Sequence, residues 1–174
     1  MAIRPIIWAP DPRLKVVSTP VEAVDDGVRR LMNDMLETMY AEPGVGLSAI
    51  QVGVPKRIVV ADIARDDEEP APIRLVNPRI VWHSDETAVF EEGCLSLPEF
   101  YAEIERPAEV RIDCLDEHGE PRELHAEGIL ARCLEHELDH LDGILFVDHL
   151  SAVRRGIILR KLAKQKKAKL RESA

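Results

Sequence analysis

The segment that most constrains this chain is His136-Glu137-Leu138-Asp139-His140, because of what surrounds it. Apolar residues at helical spacing run from Ile129 to about Leu141 and fall on several sides of the helix: Ile129, Leu130, Leu134, Leu138 and Leu141. Gly143 is a stop signal. A helix that is apolar all round belongs in an interior, so the fold has to be built around it. Two histidines and two carboxylates then enter that interior, where each needs a partner. Histidines at i and i+4 lie on one face, about one turn apart, and can bind one metal ion. Glu137 follows the first of them and is placed to take a proton from water at such an ion. The plain alternative is a helix with two unliganded histidines; the apolar surroundings count against it.

Two histidines need at least one more protein ligand. Six positions after His140 stands Phe146, His149 lies beyond the Gly143 break, and the last downstream carboxylate, Glu172, sits in a basic tail. The third ligand is therefore upstream or a cysteine. Cys114, in Arg111-Ile-Asp-Cys-Leu115, reads as a small core residue. Cys133 precedes His136 by three residues and shares its face, while Cys94 sits in Glu91-Glu92-Gly93-Cys94-Leu95-Ser96 after a glycine that permits close backbone approach. Either could offer a thiolate, and the residues alone leave Cys94 and Cys133 level.

The chain is of one-domain length, 174 residues, and its aromatic content of 4% leaves the core to Leu, Ile and Val. No apolar run has the roughly 18–20 residues of a membrane span. Pro5 and Pro10 interrupt the start, which does not read as a signal peptide. Three widely spaced cysteines argue against a disulfide framework and for a reducing compartment, the cytoplasm. Residues 1–24, with four prolines, read as an extended arm. Asp25 or Asp26 caps a helix with apolar positions Val28, Leu31, Met32, Met35, Leu36 and Met39, stopped by Pro43-Gly44. Strands are expected at 57–63, 74–76, 79–82 and 87–90, and a hairpin at 110–115 and 122–126. Ser151 caps a last helix. The chain reads as one α+β domain, 1–174, with a basic C-terminal helix, 151–174.

A third unusual segment is Gly44-Val-Gly-Leu-Ser-Ala-Ile-Gln51-Val-Gly53. It lacks the Lys-Ser/Thr of a phosphate cradle, so a simple turn is one reading. Gln51 is a lone uncharged donor in an apolar run, a group suited to a developing oxyanion.

Three segments now stand in order: GVGLSAIQ at 44–51, EGCLS at 92–96 and HELDH at 136–140. Together they closely resemble peptide deformylases, metal hydrolases that remove the formyl group from the N-terminal methionine of nascent bacterial proteins. The resemblance spans nearly the whole chain, including Pro10-Asp-Pro12 and Tyr101 to Pro107. It implies an α+β fold, with antiparallel strands packed around the HExxH helix, and a metal held by Cys94, His136 and His140, with Cys133 left in the pocket wall. Fe²⁺ is the implied ion, with Zn²⁺ or Ni²⁺ as substitutes; one thiolate and two imidazoles suit all three. Glu137 is then the general base, Gln51 and the Leu95 N–H stabilise the oxyanion, and Gly46 lines the site and contacts substrate. An apolar pocket takes the methionine, and a monomer is expected. Ser48 departs from the family's usual Ala, and Glu135 from its usual Gln, adding a charge beside the metal. A general metallopeptidase would share the histidines without a standing cysteine ligand. A degenerate binding module would have lost Glu137, Gln51 or Cys94.

The charge is uneven. From Ser151 on there are nine Lys/Arg and one acid, in a chain of net charge −9. By itself such a run is a solvated helix face. The resemblance shifts that weighing toward the ribosome, whose RNA surface would attract a basic helix, with Val153, Ile157, Ile158, Leu162 and Leu170 as its apolar stripe and Lys161, Lys164, Lys167 and Arg171 outward.

Overall fold

The computed structural model describes residues 2–174. The fold is α+β. Helix α1 spans Asp26–Ala41, with the Asp25 side chain accepting from the Val28 N–H as its N-cap. A short strand β1 (Gly46–Ser48) leads through one 3-10 turn, Ala49–Val52, to β2 (Ile58–Ala61). Strands β3 (Ile73–His83), β4 (Thr87–Cys94), β5 (Leu97–Pro107), β6 (Glu109–Leu115) and β7 (Pro121–Glu127) follow. Helix α2 (Gly128–Leu141) carries the histidine pair, and α3 (Ala152–Glu172) ends the chain.

Five strands form an antiparallel sheet in the order β1-β2-β3-β6-β7, and β4-β5 form a separate hairpin. The unbroken apolar run in β2 follows from its position. Val59 and Ala61 face α2 with Leu75, Val110, Ile112 and Leu134, while Ile58 and Val60 face α1 with Met32, Met35, Met39 and Val76. A strand covered on both faces has no polar side to alternate with. Helix α2 is thus enclosed, with Leu134 and His140 fully buried.

A third core joins the hairpin to the arm and the chain end: Ile7, Ala9, Leu14, Leu97, Ile104, Phe146 and Leu162, with Ile158 and Leu159 packed against them. Helix α3 therefore contributes to the core through its first half. Of the apolar stripe expected from the sequence, Ile158 and Leu162 reach the core, whereas Val153, Ile157 and Leu170 are exposed; Leu159, outside that stripe, packs against the core instead.

The strands expected at 74–76 and 79–82 are one strand, β3, with a register shift against β6 between Val76 and Arg79. Asn77 sits there at φ 51, and its amide both accepts from the Val21 N–H and donates to the Val21 carbonyl, pinning the arm. Strand β5 was not expected. Its prolines and charges hide an alternation in which Ala102, Ile104 and Arg106 all point inward.

Candidate metal centre

Three elements converge at one point. Cys94 ends β4, and Leu95 and Ser96 form the two-residue turn to β5. His136 and His140 come from α2, and Gln51 from the 3-10 turn after β1. The arm ties two of these together: the Ile7 N–H donates to the Gln51 carbonyl and the Ala9 N–H to the Ser96 carbonyl. Ligand atoms of Cys94, His136 and His140 all lie within 4.8 Å of one another, and Cys94 Sγ is 3.3 Å from His140 Nε2.

The donor set fits a divalent metal. One sulfur and two imidazole nitrogens suit borderline ions such as Fe²⁺, Zn²⁺ and Ni²⁺. His136 Nδ1 is engaged by Glu92 Oε1 at 2.9 Å, so its Nε2 is left for an ion. Cys133, the rival thiol, is turned away: its Sγ donates to the Val45 carbonyl at 3.5 Å. Burial pushes that thiol well above the ordinary range, which disfavours the thiolate a metal needs.

Behind His136 runs a buried chain of charges. Arg106 Nε and Nη2 hold both Glu92 oxygens, at 2.6 and 3.0 Å, and Arg106 Nη1 reaches Asp139 Oδ2 at 2.9 Å. His149 Nε2 lies 2.8 Å from the same Asp139 oxygen. Burial alone would raise Glu92; hydrogen bonds from His136 and Arg106 outweigh it and hold the carboxyl at about 2. This network was not read from the sequence. Its one visible signal is the alternation of β5, which puts Arg106 in a slot otherwise held by apolar residues.

Glu137 is buried with Oε2 unpartnered, and burial pushes its carboxyl up to about 7 against the pull of His136. Gly46 makes room for it. A Cβ at that position would stand 2.8 Å from both Glu137 Oε1 and Cys133 Sγ, so any larger residue displaces the carboxylate. Gln51 is fixed in one orientation. Its Oε1 accepts from the Ser48 N–H at 2.9 Å and from Ser48 Oγ at 3.0 Å. Its Nε2 therefore points to Ser96 Oγ at 3.1 Å and Cys94 Sγ at 3.6 Å. Ser48, set apart in the sequence as a small-for-small change, thus adds a donor to that lock. Leu95 lies in the hairpin turn, so its N–H falls outside the strand ladder. Glu135 does not point to solvent. It is 5% exposed with Oε2 unpartnered, and burial pushes it up to about 7.

A cavity of about 1060 Å³ opens onto Cys94, His136 and Glu137, walled by Gly44, Val45, Gly46 and Leu95 on one side. Strand β1 pairs only with β2, so its other edge is open. Among the described residues, no helix is long and apolar enough to cross a membrane.

Residues 3–156 match the family described as polypeptide deformylase. The peptide deformylase of Phenylobacterium zucineum is 58% identical over 168 residues, covering 97% of this chain and 99% of that protein. That of Rhizobium meliloti is 50% identical, with 97% of each chain covered. Among solved structures, the peptide deformylase of Ehrlichia chaffeensis superposes with a TM-score of 0.93 at 39% identity, covering 97% of this chain and 99% of its own. The same enzyme in complex with actinonin gives a TM-score of 0.91 at 41% identity, with 95% and 98% covered.

Proposed function

The chain belongs to the peptide deformylase family, and on that footing we propose how its own residues carry the family's reaction. It is a metal-dependent hydrolase that removes the N-formyl group from nascent polypeptides, leaving formate and a free N-terminus. The observation that carries the residue assignment is the convergence of Cys94, His136 and His140 beside a buried, unpartnered Glu137.

Cys94, His136 and His140 would hold the ion, Fe²⁺ in the native enzyme, with Zn²⁺ or Ni²⁺ able to take its place. A divalent ion there supplies Lewis-acid chemistry, polarising the formyl oxygen and making water acidic enough to lose a proton near neutral pH. Glu137 takes that proton as water adds to the formyl carbon, and returns it to the leaving amine. A carboxyl raised toward neutrality by burial suits both halves of that exchange. The oxygen that becomes negative receives hydrogen bonds from Gln51 Nε2 and the Leu95 N–H. Gly46 and its neighbours on the open edge of β1 offer main-chain groups to the peptide, which adds as a further strand. Glu92, locked by Arg106, keeps His136 in the tautomer that presents Nε2. Actinonin in the relative's complex is consistent with a ligand seated in this cavity.

Formate release from a formyl-Met peptide, with no cleavage of its unformylated form, tests the reaction. Anaerobic metal analysis of the purified protein tests the ion. A Cys94→Ala variant that kept a full complement of metal would move the third ligand elsewhere.

The whole chain, 1–174, acts in this reading as one domain and as a monomer in the cytoplasm. Lys161, Lys164, Lys167 and Arg171 are exposed on α3 and suit a ribosomal RNA surface. Because Leu162 is part of the core, cutting the chain after Leu150 would damage the fold. Charge reversal at Lys161 and Lys164, followed by ribosome pelleting at several salt concentrations, is the cleaner test. Unchanged pelleting would return this face to a merely solvated role.

A further inference from the structure

The inward face of α3 changes character along its length. Leu159 and Leu162 pack into the core. Continuing from Leu162 by i+4, i+7 and i+11 reaches Lys166, Lys169 and Ser173 on the same face. Those residues, with Leu170, line the cavity that holds Cys94 and Glu137. Lys169 Nζ sits 4.4 Å from the centre of the Trp8 ring, which fastens the end of α3 across the arm. Lys166 is half-buried, although a lysine on a solvated face would extend into water.

The cavity is also lined by Glu42, Glu91 and Glu99, together with Asp11, Arg13 and Arg132, and Asp11 is near enough to Lys166 to feel its charge. Neither Lys166 nor Lys169 has a carboxylate within salt-bridge distance. Pockets for whole small molecules span roughly 300–1,000 Å³, so about 1060 Å³ holds more than one formyl-methionyl group.

Resting on the deformylase reading, we propose that the end of α3 is the cationic wall of the substrate groove, where Lys166 and Lys169 select acidic side chains in the peptide downstream of the formyl-methionine. An extended peptide turns successive side chains to opposite sides. A residue facing α3 then meets the lysines, while its neighbours turn away from them. Exposed ion pairs are individually weak, so two lysines change the preference between an acidic and a basic residue by several-fold.

The test measures formate release from formyl-Met peptides of four or five residues, with Glu or Lys placed in turn at the second, third and fourth positions. The wild type should favour Glu over Lys several-fold at one or more of these positions. Lys166→Glu/Lys169→Glu should invert that ratio, mainly through KM, because the contact is made equally in ground and transition states. Raising the salt to about 0.5 M should flatten it. Arg154→Glu/Arg160→Glu, an equal charge change elsewhere on α3, should leave the ratio as in the wild type. The same Glu-to-Lys ratio in the Lys166/Lys169 double variant and the wild type would overturn the wall. So would an equal shift in the Arg154/Arg160 control, which would show only a long-range field. If no formylated peptide released formate, the deformylase reading itself would fall, a result distinct from a flat selectivity profile.

Discussion

Helices α2 and α3 are both rich in ionisable residues, and the fold treats them in opposite ways. In α2, Glu135, His136, Glu137 and His140 are all buried. In α3, Leu162 is the one buried residue of 21. A buried charge is costly unless it is paired, so His136 is bound into a network with Glu92, His136 and His140 meet Cys94 in the candidate metal cluster, and burial pushes the unpartnered Glu135 and Glu137 toward their neutral forms. Most charges on α3 are exposed to water, Lys166 being half-buried, so their number is tolerated and their placement is free to serve contacts with other molecules. High charge density therefore says little about a helix until its surroundings are known.

The sharpest test of that contrast is Glu137→Ala. Loss of a general base lowers turnover by a factor of about 10²–10⁴. Metal content should be unchanged, because Glu137 is outside the ligand cluster. Steady-state kinetics on metal-loaded protein, with metal analysis alongside, checks both halves. A variant that lost its metal would make Glu137 structural.

Arg106→Leu probes the network behind His136. It strands the buried Glu92 carboxylate, and breaking a buried pair from one side costs about 3–5 kcal/mol. Metal affinity should fall roughly 10–100-fold as His136 loses its fixed partner. Denaturant unfolding and metal titration would show it. A variant as stable as the wild type would mean Glu92 is neutral in the fold, against the strong pull of Arg106 and His136 on it.

Within α3 itself, Leu162→Ala should cost about 2–5 kcal/mol as a core truncation. Val153→Ala, on an exposed turn of the same helix, should stay within about 0.5 kcal/mol. Equal midpoints for the two variants would remove α3 from the core.

The smallest change is expected from Glu135→Gln. Glu135 is next to His136, yet it accepts no hydrogen bond at Oε2, and burial already favours its protonated form. The amide has nearly the same shape. Activity should shift by no more than a few-fold in assays near neutral pH. Complete loss would give Glu135 a specific role beyond packing.

Much of this was legible in the residues. The periodicity of α1 with a cap at Asp25 or Asp26, the Ser151 cap of α3 and the stop at Gly143 are local signals; the structure puts the α1 cap on Asp25, starts α3 after Ser151 and ends α2 at Leu141. The hairpin at 110–126 is equally local. Strand β5 escaped because its inward positions include a charged residue, Arg106, that only a buried carboxylate makes tolerable. Strand β3 looked like two because Pro78 interrupts a run whose bulge is held from outside, by the arm at Val21.

The sequence by itself determined that two histidines share a face of an interior helix, with a carboxylate between them and a thiol somewhere in reach. That information is contained within one or two turns, where backbone geometry alone sets the spacing. Tertiary structure decided which thiol is near them, since Cys94 and His140 are 46 residues apart. It also decided that Gln51 turns its nitrogen toward Cys94 across 43 residues, and that the lysines at the end of α3 face the groove. Local spacing cannot supply such pairings, because they depend on how separate apolar faces find one another as the sheet, the hairpin and the helices pack.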